Sequence, residues 1–313
     1  MRDDQVGVSA TPPRRLNVTV IADSVSRYGD RITTLELTFP RFILAELNTH
    51  RAFSRNSASS RARSVKKTIA EVRADPFVPW HWPAERLGMA GGESIGEDAI
   101  HNARAEWRGA SLTAIQYAEA LVWNGVHKSI VNRLLEPFMW HTVVVTATDW
   151  DGFLDQRLAL LEDGRPAAEP HFYDLARAMK IALDTSIPVE RGRDDDDASA
   201  WHLPYVTEAE RRNLFRTDVI KMSVARCAGV SYLNQNAERP LERDLALYDR
   251  LRAANPPHWS PFEHVARPAT TWSMFGGETH ASPHRYNLVG WESLRWLLEA
   301  GLARLDTLGG VTW

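Results

Sequence analysis

The sequence predicts an α+β fold, and three observations carry the prediction. Leu16–Ile21 and Ile32–Phe39 combine β-branched residues with period-two alternation, the pattern of half-buried strands. Asp98–Asn124 repeats Ile100, Ala103, Trp107, Ile115, Ala118 and Val122 at helical spacing and meets a stop at Gly125. Strand and helix segments then mix without the regular alternation of a parallel βαβ array.

Taken in order, the first two strands join through a turn at Tyr28-Gly29-Asp30, and Pro40 ends the second. Phe42–Asn48 reads as a short helix. The long helix at Asp98–Asn124 is followed by a shorter one at His127–Leu135, closed by Pro137. Val143–Thr148 is a strand by its β-branched content. Trp150–Leu161, Phe172–Leu183, Val219–Ala228 and Leu241–Ala254 read as helices. Gly88–Gly96, Glu190–Ser199 and Gly276–Pro283 read as loops, and the acidic run Asp194–Asp197 as a solvated surface. No internal repeat is present.

Composition narrows the function. The 313 residues carry 37 Lys+Arg against 40 Asp+Glu, a formal charge of −3, which argues against a dedicated nucleic-acid coat. Hydrophobic residues at 44% and charged residues at 25% are ordinary globular usage, with ample length for a core. Twelve Trp point to a large apolar interior or an interface between subunits. The single cysteine, Cys227, excludes an internal disulfide and a cysteine-based zinc site, and its apolar setting reads as core. A reducing, cytoplasmic location is expected. No apolar run is long enough for a membrane span, and residues 1–15 lack the apolar stretch of a signal peptide and read as a flexible arm.

Phosphate-loop, dinucleotide-fingerprint, zincin and nucleophile-elbow patterns are absent, and the eleven His form no ligand set, so no metal is expected. One segment is unusual. Thr49–Arg63 packs four Arg, one His, one Asn and five hydroxyl residues into fifteen positions with one bulky apolar side chain. Guanidinium forks and hydroxyl donors suit an anion-binding loop; a solvated basic loop or a nucleic-acid contact is the alternative. His258–His264 forms a polar turn around Ser260-Pro261-Phe262. Arg133, in Asn132–Pro137, can cap its own helix, and Arg157 can make a surface ion pair.

Together these residues resemble the flavin-dependent thymidylate synthases, the ThyX family. The family pattern R-H-R-x7-S is matched by Thr49-His50-Arg51 and Ser59 with one change, and its longer form at Ser54, Asn56 and Arg61. R-x-x-L-P is matched in part by Arg133 and Pro137, S/T-P-F-E-H by Ser260–His264, and A-R-V-S-[FY] by Ala228–Tyr232. The last two precede R-H-R in typical members and come after it here, so the chain resembles a circularly permuted, phage-type relative. Substitutions stand at Thr49 (Arg in the family), Glu46 (Gln), Ser57 (Glu), Ala62 (Tyr), Glu136 (Leu) and Gly152 (Asn).

The resemblance implies an antiparallel sheet with packed helices in one catalytic domain over 16–313, with 190–215 as a loop or insertion and 273–313 as a C-terminal extension. It implies an FAD-dependent methyltransferase converting dUMP to dTMP, with methylenetetrahydrofolate and NADPH as co-substrates. Ser59, Arg61, Arg133 and Glu46 would hold the nucleotide, with Ser59 and Arg157 at the chemistry and Arg157 facing the pyrimidine. His50, Arg51, Ser54, Asn56, Ser231 and His264 would line the flavin. A homotetramer is implied. Same-fold alternatives are an enzyme making a modified pyrimidine such as 5-hydroxymethyl-dUMP, and a flavin- or nucleotide-binding paralogue without turnover.

Overall fold

The computed structural model describes residues 15–192, 198–230, 240–269 and 287–305, with short strand segments at 271–272, 278–279 and 311–312. The expected arm, the acidic run, Ser231 and most of Gly276–Pro283 lie outside the described residues. Helices and sheet are mixed, as the α+β prediction requires.

The centre is a five-stranded sheet, β3-β4-β2-β1-β5, formed by β1 (Asn17–Ser26), β2 (Arg31–Pro40), β3 (Ser54–Ser57), β4 (Trp140–Ala147) and β5 (Val189–Arg191). Four strands pair antiparallel. β5 pairs with β1 in parallel and adds one short edge to the otherwise antiparallel sheet. The chain reaches this edge from a helix packed across the sheet, and three residues are too few to show a period in sequence. The β1–β2 turn is where the sequence puts it: Gly29 has φ +92°, and the Ser26 and Gly29 amides bond Asp30 O at 2.8 Å and Ser26 O at 2.9 Å. β1 carries a bulge between Val20 and Ala22.

The helices are α1 (Leu44–Asn48), α2 (Val65–Ala74), α3 (Glu97–Trp123), α4 (Lys128–Val131), α5 (Asp151–Arg157), α6 (Pro170–Thr185), α7 (Glu208–Asn213), α8 (Arg216–Gly229), α9 (Leu241–Ala253) and α10 (Leu294–Glu299). α5 stops four residues before the expected Leu161, because the chain turns back through Gly164 (φ +80°) and Leu160 bridges to Pro166. The helix expected to Leu135 is the short α4 followed by a 3-10 stretch, Asn132–Phe138, which accommodates Pro137. Thr49–Arg63 is not loop throughout, since β3 lies within it as an edge strand. Residues 190–215 are more than a loop or insertion: they carry α7, and Ala198, Ala200, Trp201 and Leu203 are buried in a core.

Strand alternation gives the sheet two different faces. Leu35, Leu37, Phe39, Val143 and Val145 point to one side, against Phe172, Leu175 and Met179 of α6 and Phe153 of α5. Thr34 and Thr146 point to the other. There Trp201, Phe262 and Leu294 pack with Val219 and Ile220 of α8 in a second core. A third cluster joins α2 and α3 to Val131, Leu135 and Phe138. Cys227 is fully buried, and burial pushes its thiol pKa up. No helix among the described residues is long and apolar enough to cross a membrane.

Candidate functional site

α1 is joined to the turn at its C-terminal end by Thr49 N–H and His50 N–H, which donate to Glu46 O and Leu47 O at 3.2 and 3.3 Å. The tight turn leaves Arg51 in solvent and drives Phe53 into the core. Phe53 packs on Trp150 and Phe153 at centroid distances of 4.8 and 5.1 Å. His50 stands edge-on to Phe153 at 4.7 Å. Between this turn and α5 lies a cavity of about 520 Å³, walled by Thr49–Phe53 on one side and Asp149, Gly152, Phe153 and Gln156 on the other. Its size and its mix of aromatic and polar lining suit a small ligand.

Arg157 stands behind His50 rather than in the lining. Its Nε donates to His50 Nε2 at 3.0 Å and its Nη2 to Thr49 Oγ1 at 3.3 Å, while the guanidinium lies 5.0 Å over the Phe172 ring. Burial, then the charges of Arg157 and Arg55, hold the His50 pKa below its ordinary value, so the imidazole is neutral. Arg51 is exposed and has no hydrogen-bonding or ionic partner among the described residues, so its five N–H donors are available.

On the other flank of α1 a second cavity, about 510 Å³, is bordered by Arg41, Phe42, Asn48, Arg133 and Glu136. Arg41 organises it. Its Nη2 donates to Glu136 Oε1 and Ser60 Oγ, both at 3.1 Å, and its Nη1 to His141 Nδ1 at 2.9 Å. Burial, reinforced by Arg41 and Arg63, pushes His141 down to about 3, so it accepts as a neutral ring. The Ser60 hydroxyl also bonds Glu136, and Asn132 Nδ2 donates to Ser60 O at 2.7 Å and Arg63 O at 3.1 Å. The Ser59–Arg63 loop is thereby stitched to the turn that carries Arg133.

Ser59 and Arg61 are exposed, with no side-chain partner among the described residues. Arg133 is exposed too, and its Nε donates to Ser129 O at 3.0 Å. Glu46 is half-buried, with Oε2 sealed from solvent and without a partner among the described residues. Of these residues Arg133 borders the second cavity and Glu46 lies on α1, whereas Ser59 and Arg61 line neither cavity.

Ser54, Asn56 and His264 do not join them within this chain. They occupy the opposite face of the sheet. Asn56 Nδ2 donates to Cys227 O at 2.9 Å and Asn56 Oδ1 accepts from Ser260 Oγ at 3.1 Å, tying β3 to the polar turn. Asn287 Nδ2 donates to Ser54 Oγ at 3.4 Å. His264 is fully buried and shares a 2.8 Å hydrogen bond with Thr146 Oγ1 through Nδ1. The bonds continue inside the protein: Thr146 to Thr34 at 2.6 Å, Thr34 to His202 Nε2 at 2.8 Å, and His202 Nδ1 to Ser24 at 2.9 Å. His264 Nε2, at the end of this row, is buried without a partner among the described residues. Ser231 lies outside the described residues.

Sequence reasoning passed over Arg41, His141, Asp149, Gln156 and His202. His141 carried a usable signal, a polar residue at an inward position of the β4 alternation. Nothing local marks His202. Among the described residues no group of three or more His, Cys, Asp or Glu could hold a metal ion.

No family model and no curated protein sequence matches the chain. Among solved structures, it is similar to the UMP/dUMP methylase PolB from Streptomyces cacaoi bound with 5-Br UMP. That match has 18% identity over 54% of this chain and 88% of that one, with a TM-score of 0.42. PolB bound with 5-Br dUMP matches at 21% identity over 49% of this chain and 65% of that one, with a TM-score of 0.40. Thymidylate synthase X from Helicobacter pylori with FAD and dUMP matches at 17% identity over 49% of this chain and 67% of that one, with a TM-score of 0.33.

Proposed function

We propose that the protein is a ThyX-like, flavin-dependent enzyme that reductively methylates dUMP, or a closely related pyrimidine nucleotide, at C5. The observation that carries the reading is local: the motif residues Thr49, His50 and Arg51 wall an aromatic-backed cavity of about 520 Å³. That lining fits a flavin ring. Phe153 offers an apolar surface, the neutral His50 a hydrogen-bonding edge, and Arg51 a cation unpartnered among the described residues. Bound there, reduced FAD would supply the hydride, with NADPH as reductant and methylenetetrahydrofolate as the carbon source.

The chain's own residues bind and orient. Ser59, Arg61 and Arg133 would hold the nucleotide phosphate, a role supported by the joining of their two segments through the bonds of Asn132 to Ser60 O and Arg63 O and of the Ser60 hydroxyl to Glu136. Glu46, at the base of the same turn, would contact the nucleotide. Arg157 has bonded Nε and Nη2 within the chain, and its Nη1 makes no bond among the described residues. That nitrogen would favour negative charge developing on the pyrimidine ring. A homotetramer is the proposed assembly; His264 and Ser54, buried on the far side of the sheet, and Asn56, bonded to Cys227 O and Ser260, are left out of this flavin site, which corrects the expectation for them.

Release of tritium from 5-tritiated dUMP, dependent on folate and reductant, tests the reaction, and the flavin absorbance of purified protein tests the cofactor. Arg51→Ala should weaken FAD by roughly 2–5 kcal/mol if the contact is desolvated. Arg61→Ala and Arg133→Ala should weaken dUMP far more than deoxyuridine. Retained stoichiometric FAD in the first variant, or equal losses for both ligands in the others, counts against the assignment. Binding of dUMP with no dTMP formed would favour a modified-pyrimidine product instead, with Thr49, Glu46 and Ser57 as the altered residues.

A further inference from the structure

We propose that Arg157 locks His50 in the Nδ1–H tautomer, so that the cavity presents a neutral imidazole N–H to an acceptor on the ligand's heterocycle. The assignment rests on donor chemistry. A guanidinium N–H can only donate, so the His50 Nε2 that it meets at 3.0 Å must be an unprotonated acceptor. The ring proton then resides on Nδ1, because the bond made by one imidazole nitrogen fixes the state of the other. Protonating both nitrogens would set an N–H against the Arg157 N–H, which opposes the cationic form as well.

Both partners have further contacts that favour this arrangement. Arg157 is pinned by Thr49 Oγ1 at 3.3 Å and by the Phe172 ring beneath it. The His50 ring is wedged between Phe53 and Phe153, at 5.7 and 4.7 Å between centroids. The charged groups around the imidazole are Arg157 and Arg55, with Arg51 and Asp149 on the cavity wall. Arg157 is thus a positioning residue for His50, in addition to any contact of its own with substrate. Nδ1–H suits a ring carbonyl oxygen or an unprotonated ring nitrogen of a pyrimidine or flavin. The inference deepens the reading above and depends on it for the ligand's identity alone.

The test is a histidine ¹⁵N spectrum of the ligand-free protein at pH 8, with the His50 signals assigned by their loss in His50→Gln. The expected spectrum shows a protonated Nδ1 and an unprotonated Nε2. In Arg157→Met the Nε2–H form should become the major one, and the His50 titration should move to higher pH as a neighbouring cation is lost. Should that variant not fold, Thr49→Val frees one side of the guanidinium and should raise the Nε2–H fraction. A protonated Nε2 in the wild type, or no tautomer change in the folded variant, overturns the proposal. Arg157→Met should also weaken FAD about tenfold while leaving inorganic phosphate unaffected; equal weakening of both would overturn the link to the ring. If FAD fails to bind the wild type, the flavin reading fails while the tautomer result stands.

Discussion

On one face of the sheet, Leu35, Leu37, Val143 and Val145 meet α6 through carbon alone. On the other, one residue along in the same strands, Thr34 and Thr146 meet His202 and His264 through a continuous row of hydrogen bonds. The two layers are equally buried and held by different physics. The apolar face is stabilised in proportion to the surface it hides, so damage there is graded with the volume removed. The polar face has little to gain from burial itself. Beside the apolar core on this side, the row depends on each linking donor keeping its acceptor, so the loss of one group strands the next. The first cavity opens beside the apolar face, where the Phe53 and Phe153 rings give it a rigid floor.

Phe39→Ala attacks the apolar side where it is fully buried and should cost about 4 kcal/mol in urea unfolding. A cost under 1 kcal/mol would mean that this face is not a packed layer. Acid should attack the polar side. Burial holds His264 at about 3 in the folded state, whereas the unfolded chain takes up that proton near pH 6.5. The folded state therefore loses ground as pH falls through 6.5 and continues to do so down to about 3; above pH 7 the group contributes nothing. Between pH 8 and pH 5 His264 alone should remove about 2 kcal/mol of stability. His202, lowered by burial and then by Arg191 and Arg211, acts in the same direction. A urea midpoint unchanged over that range would overturn the description of these histidines as buried neutral groups.

Thr34→Val sharpens the contrast, since shape is nearly kept and the hydroxyl linking Thr146 to His202 is lost. About 1.5 kcal/mol at pH 7 is expected, against a small effect if the bonds were incidental. The smallest change belongs to the cavity rim. Arg51→Ala should alter stability by less than about 0.5 kcal/mol, because the side chain is exposed and unpartnered among the described residues. A loss above 1 kcal/mol would show that Arg51 serves the fold rather than a ligand.

The apolar face was legible in advance and the polar face was not, for a physical reason. Ile32–Phe39, Val143–Thr148 and the long helix each carry a periodic signal within one segment, and the structure places strands and a helix there. Ser24, His202 and His264 meet only through tertiary packing, across sequence separations that no local window contains. The site divided in the same way. The density of Arg and hydroxyl residues in Thr49–Arg63 marks the turn that walls the first cavity, and the helix bearing Arg157 is legible from its own segment. That Arg157 would rest on His50, and that Arg41 would reach His141 and Glu136, depends on how β4 and α1 are set side by side. Composition likewise concealed β3, whose four residues alternate between faces without a large apolar side chain.

The bulge in β1 has a consequence for chain length. Val20 pairs with Leu35 and Ala22 with Thr34, so Ile21 is skipped by the ladder. This extra residue resets the alternation: Val18 and Val20 share the side of Leu37 and Leu35, and Ser24 then arrives on the side of Thr34, within reach of His202. Removing Ile21 would leave all eight pairings of the strand in place and would straighten it locally. Removing Thr19 or Asp23 instead would turn part of the strand over and exchange its faces. In evolutionary terms β1 holds one residue that it can lose. A relative shorter by one at this point would align with a gap and keep the partners of both faces.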